Sequence, residues 1–258
     1  MKKVILIGMV VTLLSVVLWN SYSAKAEETR QEEVERIEGQ IRGATVMIVM
    51  VAPGTHATTN STGTFLGYGM GTLVETEGGV WLVTHNNYGE ALQDLTIVEL
   101  RDADGQMIMP MLGIEFKSLV VYQDPGTLVL RAPETLMDYL TPASLGDVSQ
   151  VKAGEAVQVA YREGEKRDRA GILEAVIEEV TTNNNGVPVY KIHNPNGQVI
   201  QPGDSGGGVW HKGQLVGNMW WVKAISGQNA TVTSGDTEQI NWVLTDISYA
   251  AVIPVGVP

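Results

Sequence analysis

From residue 44 onward the chain alternates short apolar segments with polar turn sequences. The segments are rich in Val, Ile, Thr and aromatic residues, which favour extended strands. They read ATVMIVMVA, GTLVET, VWLVTH, LTIVELRD, SLVVYQD, TLVLRAP, AVQVAYRE, GVPVYKIH and GQLVGNMWWV. The turn sequences between them lie at Glu77–Gly79, Asp102–Gly105, Asn184–Gly186 and Asn194–Gly197. Many short strands at this spacing predict an all-β protein built from barrels or a sandwich.

Two stretches depart from this strand pattern. Residues 133–152 are less regular and divide the strands into an N-terminal group, about 43–135, and a C-terminal group, about 150–250. Residues 236–247 carry apolar side chains at helical spacing behind Asp236 and Gln239, which can form a capping box. We therefore expect two strand-built halves in one domain, 43–258, and a short C-terminal helix.

The N-terminus has the features of an export signal. Lys2 and Lys3 precede an apolar run from Val4 to Trp19, and Ala24–Ala26 has the small-x-small form of a cleavage site. The run is short for a membrane span, which needs about 20 apolar residues. We predict a signal peptide over 1–26, a mature start at Glu27 and a secreted or extracytoplasmic protein. The alternative is an uncleaved segment that anchors the chain in a membrane.

The segment from Glu27 to Arg42 is highly charged. Val34, Ile37 and Ile41 recur in it at helical spacing, so a short solvated helix or a linker is expected. Arg36–Gly39 allows a second interpretation, in which cleavage after Arg36 frees Ile37 as a new N-terminus.

Composition narrows the classes of function. The 258-residue chain has a formal net charge of −12, and removal of the three lysines of the first 26 residues would make it −15. Such an acidic protein is a poor partner for nucleic acid or anionic lipid. The chain has no Cys, and its histidines lack metal-ligand spacing, so we expect no metal and no cofactor. Asp102–Gly105 hints at Ca²⁺, but a hairpin turn explains it better.

The most informative segment is QPGDSGGGVW, from Gln201 to Trp210. A Ser between glycines on a tight turn exposes its hydroxyl and lets backbone N–H groups point at one spot, as acyl transfer requires. Gly203–Gly207, GDSGG, resembles the nucleophile motif of trypsin-like serine proteases. The following strand, Gly-containing turn and second strand agree with that family, and INWVLTDI is similar to its C-terminal helix. The resemblance covers about 43–247.

The resemblance implies a fold and a set of site residues. The fold would be two antiparallel six-stranded β-barrels with the site between them. Ser205 would be the nucleophile, and the N–H groups of Gly203 and Ser205 would hold the oxyanion. Asp204 would be a structural carboxylate, which in zymogen-activated relatives pairs with a new N-terminus. Asp124 leads an apolar strand, as the family's acid does, and would orient a histidine.

The histidine does not fall where the family places it. Trp81–Thr84 matches the start of the family's histidine segment, which puts the catalytic position at Asn87 and leaves His85 two residues early. Residues two apart in a helical turn point about 200° apart, and an Asn amide cannot act as a general base. Either the turn is two residues shorter than usual and His85 serves as the base, or the triad is broken.

The resemblance also places a substrate pocket around Val199, Trp221 and Val222. Val222 replaces a Gly that would admit the substrate, and the pocket base lacks an Asp that would select Lys or Arg. Two functions follow. The chain is an exported serine endopeptidase acting on proteins or peptides, or it is an inactive trypsin-fold domain that binds them. The sequence leaves the oligomeric state open.

Overall fold

The computed structural model of the chain describes residues 25–55, 62–86, 96–123, 127–182, 188–193, 203–222 and 248–251. Residues 25–44 are helical, one of the two structures expected of the charged segment. The chain divides at Gly39 into two compact units, and all the strands belong to the second. In the first unit an Arg36–Glu33 ion pair of 2.7 Å joins neighbouring helical turns. Across the described ranges, no helix has both the length and the apolar content that spanning a membrane would take.

The first sheet contains eight strands. They are β1 Thr45–Thr55, β2 Thr62–Thr76, β3 Gly79–His85, β4 Ile97–Arg101, β5 Met107–Leu112, β6 Val120–Gln123, β7 Thr127–Arg131 and β8 Ala143–Ser144. Their order is β5-β4-β1-β2-β3-β7-β6, and β8 pairs in parallel with β2. A short helix, Gly113–Ser118, connects the edge strands β5 and β6. The sheet has two more strands than the six expected, and the two-residue β8 is one of the additions.

The core of the first sheet follows from the alternation along its strands. Val46, Ile48 and Met50 share one face of β1 and pack with apolar residues of the other strands and with Phe116 of the short helix. Met47 and Val49, on the opposite face of β1, are also buried. A strand covered on both faces reads as a nearly continuous apolar run, which accounts for the segment ATVMIVMVA.

The second sheet is a closed six-stranded barrel. Its strands are β9 Ala156–Glu163, β10 Arg169–Thr182, β11 Pro188–His193, β12 Gly208–His211, β13 Gln214–Val222 and β14 Ser248–Ala251. Val157, Val159 and Leu173 are among the side chains that fill it. Tyr190 lies in the same core, donates its hydroxyl to the carbonyl of Val148 at 3.2 Å, and has its pKa raised by burial to about 12.

The irregular stretch between the two strand groups contacts both sheets. It contains two 3₁₀ turns, Glu134–Asp138 and Val148–Gln150, with β8 between them. Just after β8, the N–H of Gly146 donates to the carbonyl of Leu215 on β13 at 2.8 Å. The all-β prediction is confirmed. The predicted helix over 236–247 lies outside the described residues, and β14, which follows it, completes the barrel between β11 and β13.

The turn predicted at Asp102–Gly105 joins β4 to β5. Asp102 Oδ1 accepts the N–H groups of Asp104 and Gln106 at 2.9 and 2.8 Å. This is an Asx-type turn, in which the carboxylate satisfies the backbone that reverses direction. The hairpin interpretation is therefore confirmed. Among the described residues, no group of three or more His, Cys, Asp or Glu could hold a metal ion.

Candidate active site

The Ser205 turn, residues 203–207, leads into β12 and is held by both sheets. Met70 on β2 donates its N–H to the carbonyl of Ser205 at 2.9 Å, and Gly206 donates its own N–H to the carbonyl of Met219 on β13 at 2.8 Å. Gly203 has φ +99° and Gly206 has φ +87°, a region that L side chains rarely adopt. The motif therefore forms a tight turn that depends on glycine at two positions, at the junction of the sheets, with Ser205 half-buried.

Only some of the backbone N–H groups of the turn take part in this framework. Within the described residues, the backbone hydrogen bonds of the turn employ the N–H groups of Gly206 and Gly207, not those of Gly203 and Ser205. Gly203 and Ser205 are the pair whose N–H groups the sequence resemblance assigned to the oxyanion.

The end of β3 packs directly against this turn. Thr84 donates its hydroxyl to the carbonyl of Met70 at 2.5 Å, and Asn218 on β13 donates its amide to the carbonyl of Thr84 at 3.1 Å. A Cβ added at Gly206 would stand 2.6 Å from Thr84 Oγ1 and 2.9 Å from the backbone nitrogen of His85. The Thr84 side chain thus faces the turn that carries Ser205.

His85 is the last residue of β3 and still pairs with Thr127 on β7. Side chains that follow one another on a strand leave it on opposite faces. The Thr84 hydroxyl faces the Ser205 turn, so the His85 side chain leaves β3 on the other face, where the residue is buried with 5% of its surface exposed. Strand alternation therefore directs the His85 side chain away from the face that carries the Thr84 hydroxyl, and the catalytic role of His85 stays a prediction.

Asp204 is completely buried beside Ser205. Its Oδ1 accepts the backbone N–H of Arg162 at 2.8 Å and a short bond from the guanidinium of Arg167, in the loop between β9 and β10. A buried carboxylate is tolerated where a cation and further donors compensate for its lost hydration. Asp204 thus already has a cation from within the chain. The turn does not need a freed Ile37 for that charge.

The start of β10, directly after the loop that carries Arg167, is hydrogen-bonded to the turn between β4 and β5. Ala170 donates its N–H to the carbonyl of Ala103 at 2.7 Å, and Arg42 donates to the carbonyl of Ala170 at 2.5 Å. Arg42 also pairs with Asp104 at 2.6 Å. A chain of contacts therefore runs from Arg42 through the start of β10 and the Arg167 loop to Asp204 and the Ser205 turn.

We expect Arg42→Ala to lower the free energy of unfolding by about 1 kcal/mol, because a half-exposed ion pair and one bond to a backbone carbonyl are lost. Denaturant titration of the parent and variant measures it. Arg36→Ala is the matched control, since its pair with Glu33 is about as exposed but joins neighbouring turns of one helix, and its loss should leave the unfolding midpoint unchanged. Equal midpoints for the two variants would contradict the bracing role.

Several predicted site residues lie outside the described residues, namely Asp124, Asn87 and Val199. Their chain neighbours are described: Gln123 on β6 donates to the side chain of Asn86 at 3.1 Å, so the ends of β3 and β6 lie together. Trp221 and Val222 lie on β13, where their backbones pair with β14. The roles given to these residues stay predictions.

Sequence reasoning did not identify Arg162 and Arg167. Arg162 has 5% of its surface exposed, and its guanidinium lies 4.1 Å from the centroid of the Tyr68 ring. Burial is the largest cause that lowers its pKa, and the positive charge of Arg167 adds to it. The segment AVQVAYRE predicted only a strand. No local sequence pattern predicts that an arginine at the end of a strand will be buried by another part of the chain.

Of the three comparisons with known proteins, the one with solved structures found matches. No protein-family model matches the chain, and no curated protein matches it. Among solved structures, the HtrA-type protease AlgW with a tripeptide is 16% identical with a TM-score of 0.55, over 84% of this chain and 58% of that one. AlgW with a decapeptide is 15% identical with a TM-score of 0.55, over 84% and 63%.

The chain thus spans 58–63% of the length of these two solved structures. At this level of identity the likeness establishes the fold alone. Together with the two strand-built halves and the closed second barrel, it confirms the trypsin-like all-β fold that the GDSGG segment and its flanking strands predicted.

Proposed function

We propose that this chain is an exported serine endopeptidase that hydrolyses peptide bonds through Ser205. The observation that carries the proposal is the Ser205 turn itself, which is bonded to both sheets and holds two glycines at positive φ. Glycine adopts positive φ without a steric penalty, so this turn can present a hydroxyl beside backbone N–H donors, the arrangement that acyl transfer requires. The solved structures of similar fold belong to an HtrA-type protease described with bound peptides, which agrees with a peptide substrate.

In the proposed reaction the Ser205 hydroxyl attacks the carbonyl carbon of a peptide and its proton passes to a histidine. The N–H groups of Gly203 and Ser205 stabilise the negative charge that develops on the carbonyl oxygen. Collapse of this intermediate breaks the C–N bond, and the histidine gives its proton to the leaving amine. Water then releases the acyl group from Ser205. Asp124 is assigned to orient the histidine, and His85 is the candidate for that base.

A second candidate function is favoured by the placement of His85. The imidazole leaves β3 on the face opposite to the Thr84 hydroxyl and is buried, and Asn87 stands at the family's histidine position. The second candidate is a peptide-binding domain without turnover, in which the Ser205 turn still offers N–H donors to a carbonyl.

One experiment separates the two candidates. The purified protein is treated with a fluorophosphonate probe and assayed on casein, beside Ser205→Ala, His85→Ala and Asn87→His. The endopeptidase predicts labelling and turnover in the parent and their loss in both alanine variants. An inert parent that gains turnover in Asn87→His, with peptide affinity unchanged, establishes the binding domain instead.

Export is proposed from the N-terminal sequence pattern. N-terminal sequencing of the protein recovered outside the cytoplasm should begin at Glu27. A membrane-bound chain that keeps residues 1–26 would favour the anchored alternative.

A further inference from the structure

The inference concerns the Arg162 guanidinium and rests on the proposed function. Arg162 leaves β9 on the face opposite to the barrel residues Val157 and Val159 and stacks on Tyr68 of the first sheet. Its Nε is fully buried and, within the described part of the chain, meets no hydrogen-bond acceptor. A buried cation with an unmet donor is costly unless an anion or acceptor completes it.

Asp204, the buried carboxylate close to Arg162, does not neutralise the guanidinium through a direct bond. Asp204 Oδ1 receives the backbone N–H of Arg162 and the guanidinium of Arg167, and no bond from the Arg162 side chain to Asp204 is present among the described contacts. Asp204 and Asp168 attract the Arg162 charge through space, while Arg167 repels it. The guanidinium lies over the Tyr68 ring, and its Nη1 lies near Gly203 of the Ser205 turn.

The guanidinium lies beside the reacting serine. A Cβ at Gly203 would stand 3.3 Å from Arg162 Nη1, and Gly203 is two residues before Ser205. On its other side Tyr68 is two residues before Met70, whose N–H holds the Ser205 carbonyl. Extended chain advances about 3.3 Å per residue, so a group one or two residues from a peptide bond seated at Ser205 reaches this cation.

We propose that Arg162 forms a subsite for a carboxylate of the bound peptide, one or two residues from the bond at Ser205. A guanidinium donates two parallel hydrogen bonds to a carboxylate, and such charge-assisted bonds are about twice as strong as neutral ones. The carboxylate comes from an acidic side chain or from the peptide's own C-terminus. The chain thus prefers peptides with a negative charge at that place, despite its own net charge of −12.

The test measures dissociation constants by fluorescence anisotropy with the full protein. Four peptides are built on one parent sequence. Two differ only in the C-terminus, which is a free acid or an amide, and two are amides that differ only in an internal Glu or Gln. We expect the acid or the Glu peptide to bind about tenfold more tightly than its neutral partner. Whichever pair shows the difference identifies the source of the carboxylate.

The variants assign the effect to Arg162. Arg162→Gln should abolish the preference for the charged peptide over its neutral partner, and Arg162→Lys should retain part of it. Arg131→Gln removes an exposed arginine of β7 and is the matched control. Thermal unfolding confirms that each variant is folded, and the acid-against-amide comparison in the parent needs no variant.

Equal affinity of the parent for charged and neutral peptides would overturn the subsite. A preference that survives in Arg162→Gln would overturn it as well. A parent that binds none of the four peptides would overturn the proposed function together with the subsite. Binding of all four without discrimination would leave the proposed function standing.

Discussion

Arg167→Met is expected to lower the free energy of unfolding by about 3–5 kcal/mol and to abolish fluorophosphonate labelling of Ser205. Arg167 supplies the side-chain cation that neutralises Asp204, which is completely buried. Breaking such a pair leaves a charge in a medium that cannot solvate it. Because Asp204 is adjacent to Ser205, the same loss loosens the turn that aims the hydroxyl. Denaturant unfolding and probe labelling measure the two effects.

Two control variants test this prediction. One keeps a positive charge at residue 167, and the other removes both charges of the Arg167–Asp204 pair. Arg167→Lys should recover much of the stability, and the double variant Arg167→Met with Asp204→Asn should be more stable than Arg167→Met alone, since no ion is then stranded. Cleavage after Arg36 should not rescue labelling in Arg167→Met. Rescue by such cleavage would show that a new N-terminus at Ile37 takes the place of the arginine.

Gly206→Ala is expected to cost about 2–5 kcal/mol of unfolding free energy and to eliminate labelling. A Cβ at this residue would stand 2.0 Å from the carbonyl oxygen of Met70, which belongs to the sheet backbone and has little room to move. The positive φ adds about 1–2 kcal/mol, and overpacking adds about 1–3 kcal/mol.

Gly154→Ala is the matched control for the glycine prediction. Gly154 has φ +88°, close to the value at Gly206, but a Cβ there would meet nothing within 4 Å. Gly154→Ala should therefore lower the free energy of unfolding only by the cost of the positive φ, about 1–2 kcal/mol, and leave probe labelling intact. Equal unfolding losses for the two alanines would show that contact with the first sheet contributes nothing at Gly206.

The sequence predicted the features that local patterns control. Strand character follows from β-branched residues, and the Ser205 turn follows from glycines adjacent in sequence, so both were accessible without a structure. The two-residue offset of His85 came from counting along the family's histidine motif from Thr84, and it stays a prediction.

Contacts between distant segments were not accessible in that way. Arg167 and Asp204 are 37 residues apart, and no pattern in either segment names the other. Arg162 reads as an ordinary polar residue at a strand end, and only the approach of Tyr68 from the other sheet encloses it. The burial of both faces of β1 likewise depends on which elements lie against it.

The bonds from Met70 to Ser205 and from Asn218 to Thr84 each join one sheet to the other. Neither half of the domain, expressed alone, keeps a partner for those groups. We expect separately produced fragments to be inert and to regain probe reactivity only on mixing, and relative motion of the halves to be restricted near the serine.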